Sequence, residues 1–287
     1  MTDNTNNAVT LERLGDHIAL ITLNRPQARN AVNGDVAQGL AAAVKATEAD
    51  NDIRAVILQG SGDKVFCGHR PWRPPCGPSR VRRQKSLPAI FCAGADLKEI
   101  SAGNAHRLVT KEGGFAGFVH VPRRKVWIAA LNGLALAGGL EIALTCDLRV
   151  ASSKVAFGLP EVKRGLVALA GGLYRLPRNL PRAIALELIA TGNTLDARRA
   201  YDFGLVNRLV EADQVLDTAR ELAETIAANA PIAVQESLVI ARLTHDLDEA
   251  ALIAAGDKAR EYLVTTEDYQ EGPRAFIEKR EPVWTGR

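Results

Sequence analysis

Apolar positions fall into two kinds of run along this chain. HIALITLN (His17–Asn24), RAVILQ (Arg54–Gln59) and KVWIAAL (Lys125–Leu131) are short, nearly unbroken and rich in β-branched side chains, and they read as buried strands. Val32–Ala49 instead repeats its apolar positions every three or four residues and predicts a helix. Between the first strand and this helix, RPQARNAVN is a turn, because Pro26 cannot continue a ladder. NGLALAGG leads from the third strand into a helix that Glu141–Cys146 continues, and Leu148–Ala151 returns to strand. Strands alternating with helices to about residue 160 predict an α/β core. After about residue 175 the strand pattern stops. PRAIALELIATG, TLDARRAYDFG and three long amphipathic stretches between Ala212 and Lys279 all predict helix. The expected organisation is a core over 1–205 and a C-terminal helical region over 206–287, packed on the core and on neighbouring subunits. No sequence repeat is present.

One segment departs from both patterns. Gly68–Phe91 holds five prolines, six Lys or Arg and no acid, and proline at this density prevents regular structure. The dipeptide Phe-Cys stands at Phe66-Cys67 and again at Phe91-Cys92, and only the second runs on into AGADLKEI. The insert 68–91 reads as a solvated surface loop, as a translated insertion, or as a basic flap over an anionic ligand. A nucleic-acid patch is the weakest of these readings, since Trp72 alone makes a poor stacking platform.

Composition changes this picture little. Hydrophobic residues make up 47% of 287 and charged residues 24%, an ordinary globular balance, and the net charge of +3 selects no partner. No apolar run reaches the ~20 residues that span a bilayer. The polar start, MTDNTNNAVT, lacks the basic and apolar regions of a signal peptide, and the cytoplasm is the expected location. Cys67, Cys76, Cys92 and Cys146 fit no zinc spacing and are expected to be free thiols.

The candidate chemistry sits in two small-residue turns. With the insert set aside, strand RAVILQG passes through a polar turn into Ala93-Gly94-Ala95-Asp96 and a helix. Strand KVWIAAL passes through NGLALAGG into another. Small residues let the backbone approach a ligand, and N–H groups at a helix start lack intrahelical acceptors. Two such N–H groups aimed at one point would stabilise an enolate or a tetrahedral oxyanion. Taken alone, Gly138-Gly139 more often marks a helix packed tightly on a strand. Glu141 lies three residues after Gly138, on the same helix face and between apolar flanks, so it is either buried and paired or functional. Glu161, in FGLPEVKRGL, is either a salt-bridge partner of Lys163 or Arg164 or a second acid/base group.

These motifs together resemble the crotonase superfamily, the enoyl-CoA hydratases and isomerases. The resemblance rests on LITLNRPQARNAVN, FCAGADLKEI, NGLALAGGLEIALTCDLRVAS, FGLPEVKRGL and EGPRAFIEKREPVW, and covers almost everything but the insert. GGFAGF (Gly113–Phe118) and the tail also look like the carnitinyl-CoA dehydratase branch. The resemblance implies an α/β spiral of ββα units with a C-terminal helical trimerisation region, assembled as a homotrimer or a hexamer of paired trimers. It implies an acyl-CoA thioester substrate and neither metal nor separate cofactor, coenzyme A being part of the substrate. By motif the oxyanion donors are the amides of Ala95 and Gly138. Glu141 and Glu161 together position and activate water for C3, and Glu161 delivers a proton to C2. Asp96, Leu97 and Lys98 would line the substrate pocket, Arg25, Ala28 and Ala93 would contact the nucleotide of CoA, and Phe276 and Lys279 would approach CoA from a neighbouring subunit. GLVALAGG (Gly165–Gly172) departs from the family pattern at an expected helix start, and Leu169 there is expected to reshape the acyl pocket.

The implied activity is syn addition of water to a trans-2-enoyl-CoA. Carnitinyl-CoA dehydration and enoyl-CoA isomerisation are alternatives on the same fold. A non-catalytic acyl-CoA- or RNA-binding homologue is a further one, because the insert lies on the approach to the first donor.

Overall fold

Alternation along the central strands decides the architecture, because both of their faces are buried. The computed structural model describes residues 8–62 and 89–287, so Phe66-Cys67, Cys76 and the body of the insert lie outside the described residues. Strands β1 (Val9–Arg13) and β2 (Ile18–Leu23) form a hairpin, followed by helix α1 (Gly34–Ala49) and β3 (Ala55–Gly60). Next come β4 (Ile90–Cys92), α2 (Leu97–Ser101) and the short hairpin β5 (Val109–Thr110) and β6 (Gly114–Phe115). The unit β7 (Val126–Leu131), β8 (Leu134–Leu136), α3 (Gly138–Thr145) leads to β9 (Leu148–Ser152) and β10 (Ala156–Gly158). Helices α4 (Gly172–Asn179) and α5 (Arg182–Thr191), β11 (Thr194–Asp196), α6 (Ala197–Asp202) and β12 (Arg208–Val210) follow. Helices α7 (Val215–Ala227), α8 (Pro231–Arg242), α9 (Glu249–Leu263) and α10 (Glu267–Glu278) complete the described chain.

The strands form a large sheet in the order β1-β2-β3-β7-β9-β12 and a smaller one in the order β11-β10-β8-β4. Each turn of the spiral gives a long strand to the first sheet and a short one to the second, as β3 then β4, β7 then β8, β9 then β10. The pairings β2/β3, β3/β7, β7/β9, β4/β8 and β8/β10 are all parallel. Odd and even side chains of β3 and β7 enter different cores. Val56, Leu58, Trp127 and Leu131 face α1, α3 and the small sheet, while Ile57, Ile128 and Ala130 face Val215, Ala219 and Ala223 of α7. Burial on both faces is what makes these strands continuously apolar, and each large side chain so buried contributes about 2 kcal/mol.

The structure corrects the expectation that strands end near residue 175. Both β11 and β12 come later, β11 pairing antiparallel with β10 and β12 parallel with β9. Three-residue strands are too short to show a period of two. TLDARRAYDFG is therefore helical only over Ala197–Asp202, and Asp196 caps that helix by accepting from the Arg199 N–H. The three amphipathic stretches after Ala212 are four helices, because Pro231 opens α8 and Thr266 caps α10 by accepting from the Tyr269 N–H. No helix among the described residues is long and apolar enough to cross a membrane.

Candidate active site

The first turn is built on the strand that carries the second Phe-Cys. Phe91 and Cys92 are fully buried in β4. Gly94 then adopts φ +87°, and a Cβ there would lie 2.8 Å from both the Ala137 Cβ and the Gly138 nitrogen. Val32 brackets the turn. Its N–H donates to the Gly94 carbonyl at 2.8 Å and its carbonyl accepts from Asp96 N–H at 2.9 Å. The Ala95 N–H between them meets no acceptor among the described residues. Asp96 caps α2 by accepting from Lys98 N–H and takes the Arg25 guanidinium at 3.2 Å. Burial pushes the Cys92 thiol up to about 12, so it stays neutral, and it donates to the Asn30 carbonyl at 3.1 Å. Cys92 and Cys146 are both free thiols.

The second turn touches the first. Ala137 sits at φ +52°, ψ −129°, a conformation costing a non-glycine residue about 1–3 kcal/mol. Two sets of bonds hold it: its N–H donates to Gly158, and its carbonyl accepts from the amides of Leu140 and Glu141. That strain turns the chain so that Gly138 opens α3 with its N–H free of any acceptor among the described residues. A Cβ on Gly138 would meet the Phe115 ring at 2.5 Å, and one on Gly139 the Cys92 carbonyl at 2.1 Å. Tight packing and a free N–H are thus not alternatives here: Gly139 serves the first and Gly138 presents the second.

Two carboxyl groups complete the arrangement. Glu141 is 4% exposed, and its Oε1 accepts from the Gly172 N–H at 2.9 Å, at the start of α4. Burial raises it to about 7, with the charge of Glu161 adding to the rise, while amide hydrogen bonds from Gly172 and Ala170 and the Arg175 guanidinium oppose it. Glu161 stands in the short 3-10 turn Pro160–Arg164. Burial raises its pKa too, and its Oε2 is buried without a hydrogen-bond partner among the described residues. Among the described residues no ion pair joins Glu161 to Lys163 or Arg164: Lys163 bonds Asn193 at 2.9 Å, and the Arg164 charge offsets only part of the effect of burial on Glu161.

The other predicted residues divide into two groups. Ala93 is tied to the 3-10 turn Pro26–Ala28 through its N–H to the Arg29 carbonyl; Arg25 precedes that turn and Ala28 is its last residue. Leu97 and Lys98 are exposed at the start of α2. Phe276, 85% exposed, lies on α10 and Lys279 caps its C-terminal end; α10 makes no extended contact with α2 or α3. Residues 166–171 are not helical: α4 starts only at Gly172, and Leu169 is 75% exposed while Ala168 is buried. Sequence reasoning missed Asn30, Phe115 and Arg175. The glycine density of GGFAGF was the one signal for Phe115. Arg175 donates to the carbonyls of Ala170 and Val119 and so ties the Gly113–Val121 loop to the Glu141 side. Among the described residues no group of three His, Cys, Asp or Glu could hold a metal.

Comparison with known proteins agrees with this geometry. Sequence profiles described as enoyl-CoA hydratase/isomerase match residues 18–68 and 85–287. An (E)-benzylidenesuccinyl-CoA hydratase of Thauera aromatica is 36% identical over 282 residues, spanning 97% of this chain and 99% of that protein. A carnitinyl-CoA dehydratase of Proteus mirabilis is 36% identical over 272 residues, 93% of this chain and 94% of the other. The crystal structure of an enoyl-CoA hydratase from Mycobacterium tuberculosis superposes with a TM-score of 0.85 at 41% identity, covering 98% of this chain and all of that one. The spiral, the paired glycine turns and these likenesses together make the chain a member of the enoyl-CoA hydratase/isomerase family, with the crotonase fold.

Proposed function

We propose that the protein is an enoyl-CoA hydratase, adding water reversibly across the C2–C3 double bond of a trans-2-enoyl-CoA. One observation carries this: two carboxyl groups with raised pKa values, the buried Glu141 and the half-buried Glu161, interact beside two turns whose Ala95 and Gly138 N–H groups are free of acceptors among the described residues. The thioester oxygen accepts from those two N–H groups, which stabilise it as negative charge develops. Glu141, anchored by Gly172, holds the water with Glu161. Of the pair, one carboxyl is ionised and one protonated. The ionised one takes a proton as the water oxygen bonds C3, and the enolate takes the proton of the other at C2, assigned to Glu161. One proton shift within the pair restores the starting state. An isomerase can work with one carboxyl, so the pair favours water chemistry. The CoA nucleotide would lie along Arg25, Ala28 and Ala93, the acyl group beside Asp96, Leu97 and Lys98. The exposed Phe276 and Lys279 would reach CoA in a neighbouring copy of a homotrimer or hexamer. The free thiols Cys92 and Cys146 suit a reducing cytoplasm.

The test is hydration of crotonyl-CoA, followed as loss of the conjugated-thioester absorbance. Glu141→Gln and Glu161→Gln are each expected to lower kcat by at least about 100-fold while acetoacetyl-CoA still binds. Full activity in both variants would sink the assignment. The Phe115 ring against Gly138 and the carnitinyl-CoA relatives favour a second reading, dehydration of carnitinyl-CoA. Competition between crotonyl-CoA and crotonobetainyl-CoA separates the two.

A further inference from the structure

Asn30 is completely buried, and every polar atom it has is engaged. It follows Arg29 in the left-handed region, at φ +51° after φ +57°, and among non-glycine residues asparagine tolerates that region best. The left-handed pair turns the side chain inward, between stretches of chain far apart in sequence. Its Oδ1 accepts from the Arg25 N–H at 2.9 Å. Its Nδ2 donates to the carbonyls of Ser61 at 2.9 Å, Ile90 at 3.1 Å and Phe91 at 3.2 Å, the last two sharing one N–H. Its own carbonyl accepts from the Cys92 thiol and its own N–H donates to Arg25. An amide donor on one side and three carbonyls on the other leave the carboxamide a single orientation. Gly60 makes room for this knot: a Cβ there would lie 2.2 Å from the Phe91 carbonyl and 2.8 Å from Asn30 Nδ2.

The knot lies directly upstream of the first turn. Phe91 and Cys92 precede Ala95 by a few residues, and Val32, two residues after Asn30, brackets Ala95 on both sides. A peptide plane held at Phe91 and a backbone held at Val32 leave the Ala95 N–H little freedom. We infer that Asn30 is a positioning residue for the first oxyanion donor: its carboxamide, by holding Ser61, Ile90 and Phe91 together, aims the Ala95 N–H at the thioester oxygen. This rests on the reading of Ala95 as a donor, and it extends that reading to a residue that touches no substrate.

The test uses two variants. Asn30→Gly keeps the left-handed backbone accessible and removes the side chain. Asn30→Asp keeps the shape and removes the Nδ2 donors. The first readout needs no turnover: a conjugated dienoyl thioester, hexadienoyl-CoA, shifts its absorbance to the red when its carbonyl is polarised by oxyanion donors. Wild-type protein is expected to show the shift and both variants to lose most of it. Their kcat for crotonyl-CoA should fall about 100-fold, the penalty for a donor misplaced by about 1 Å, with Kd for butyryl-CoA within about threefold. Variants that shift hexadienoyl-CoA as fully as wild type would overturn the inference while leaving the proposed function standing. Wild-type protein that binds the dienoyl thioester without any shift would overturn the functional reading and this inference with it. If neither variant folds, Asn30 serves the fold alone and the inference is wrong.

Discussion

Glu141 is a carboxyl group whose charged form is made costly by burial. Burial and the neighbouring Glu161 lift it from an ordinary 4.5 to about 7. Between those values the folded chain keeps a proton that the unfolded chain has released. The stabilising effect of the protonated form is therefore complete below about pH 4.5 and lost as pH rises through about 7. Glutamine has no proton to lose and can still accept from Gly172. Glu141→Gln is thus expected to match wild type near pH 4 and to exceed it at pH 8 by on the order of 3 kcal/mol, read by denaturant unfolding at the two pH values. Parallel pH profiles would mean that the carboxyl is not strained by burial. Glu141 could be found in the sequence because an acid inside an apolar run is conspicuous. Gly138 could be found because it follows a strand. Asn30 could not. It is a polar residue in a polar turn, and its role comes from three carbonyls that arrive from residues 61, 90 and 91 only in the folded chain.

At the scale of elements, α10 and the C-terminal tail hold each other through buried carboxylates. Glu271 accepts from Arg280, Arg274 and the Val283 N–H, and the guanidiniums, Arg280 foremost, hold its pKa well below the usual carboxylate range. Asp268 accepts from the amides of Thr285 and Gly286. Beyond them, the Trp284 indole donates to the Ala228 carbonyl, and Arg54, just before β3, donates to the Trp284 carbonyl. The depressed Glu271 keeps its contribution at every pH above the ordinary carboxylate range and loses it only as pH falls below that range. Glu271→Gln is expected to speed hydrogen exchange of the Val283 amide about tenfold, since a charge-assisted bond becomes a neutral one, while β3 and β7 amides keep their rates. Unchanged exchange at Val283 would mean that Asp268 alone secures the tail. The amphipathic helices of this region were legible because each spans several turns. The short strands β11 and β12 were not, because their pairing with β10 and β9 is decided by neighbours rather than by their own three residues.

At the scale of the whole molecule, the most exposed large apolar side chains among the described residues are Phe276, Ile277, Leu169, Val283 and Ile253, and all but Leu169 lie in the C-terminal region. Apolar side chains left uncovered by their own chain are available for association. With a chain mass of 30.8 kDa, light scattering is expected to give a particle of about 92 kDa for a trimer or twice that for a hexamer, in line with the assembly proposed above. A monomer mass at micromolar concentration would contradict it and would leave Phe276 and Lys279 without a route to CoA. The helical nature of this region was readable from periodicity; which of its faces stay uncovered was not, because that depends on how α8, α9 and α10 are laid against one another.

The knot at Asn30 has one further consequence. Ser61 and Ile90 lend their carbonyls to one nitrogen, and the Leu134 N–H fastens the Ala89 carbonyl close by. The described chain on either side of residues 63–88 is therefore held at one place. What lies between can differ in length at little thermodynamic consequence, because closing a loop whose ends are already fixed depends only logarithmically on its length, about 0.6 kcal/mol for each doubling. Ends held in this way let the length between them vary while the turn at Ala95, a few residues downstream, keeps its geometry.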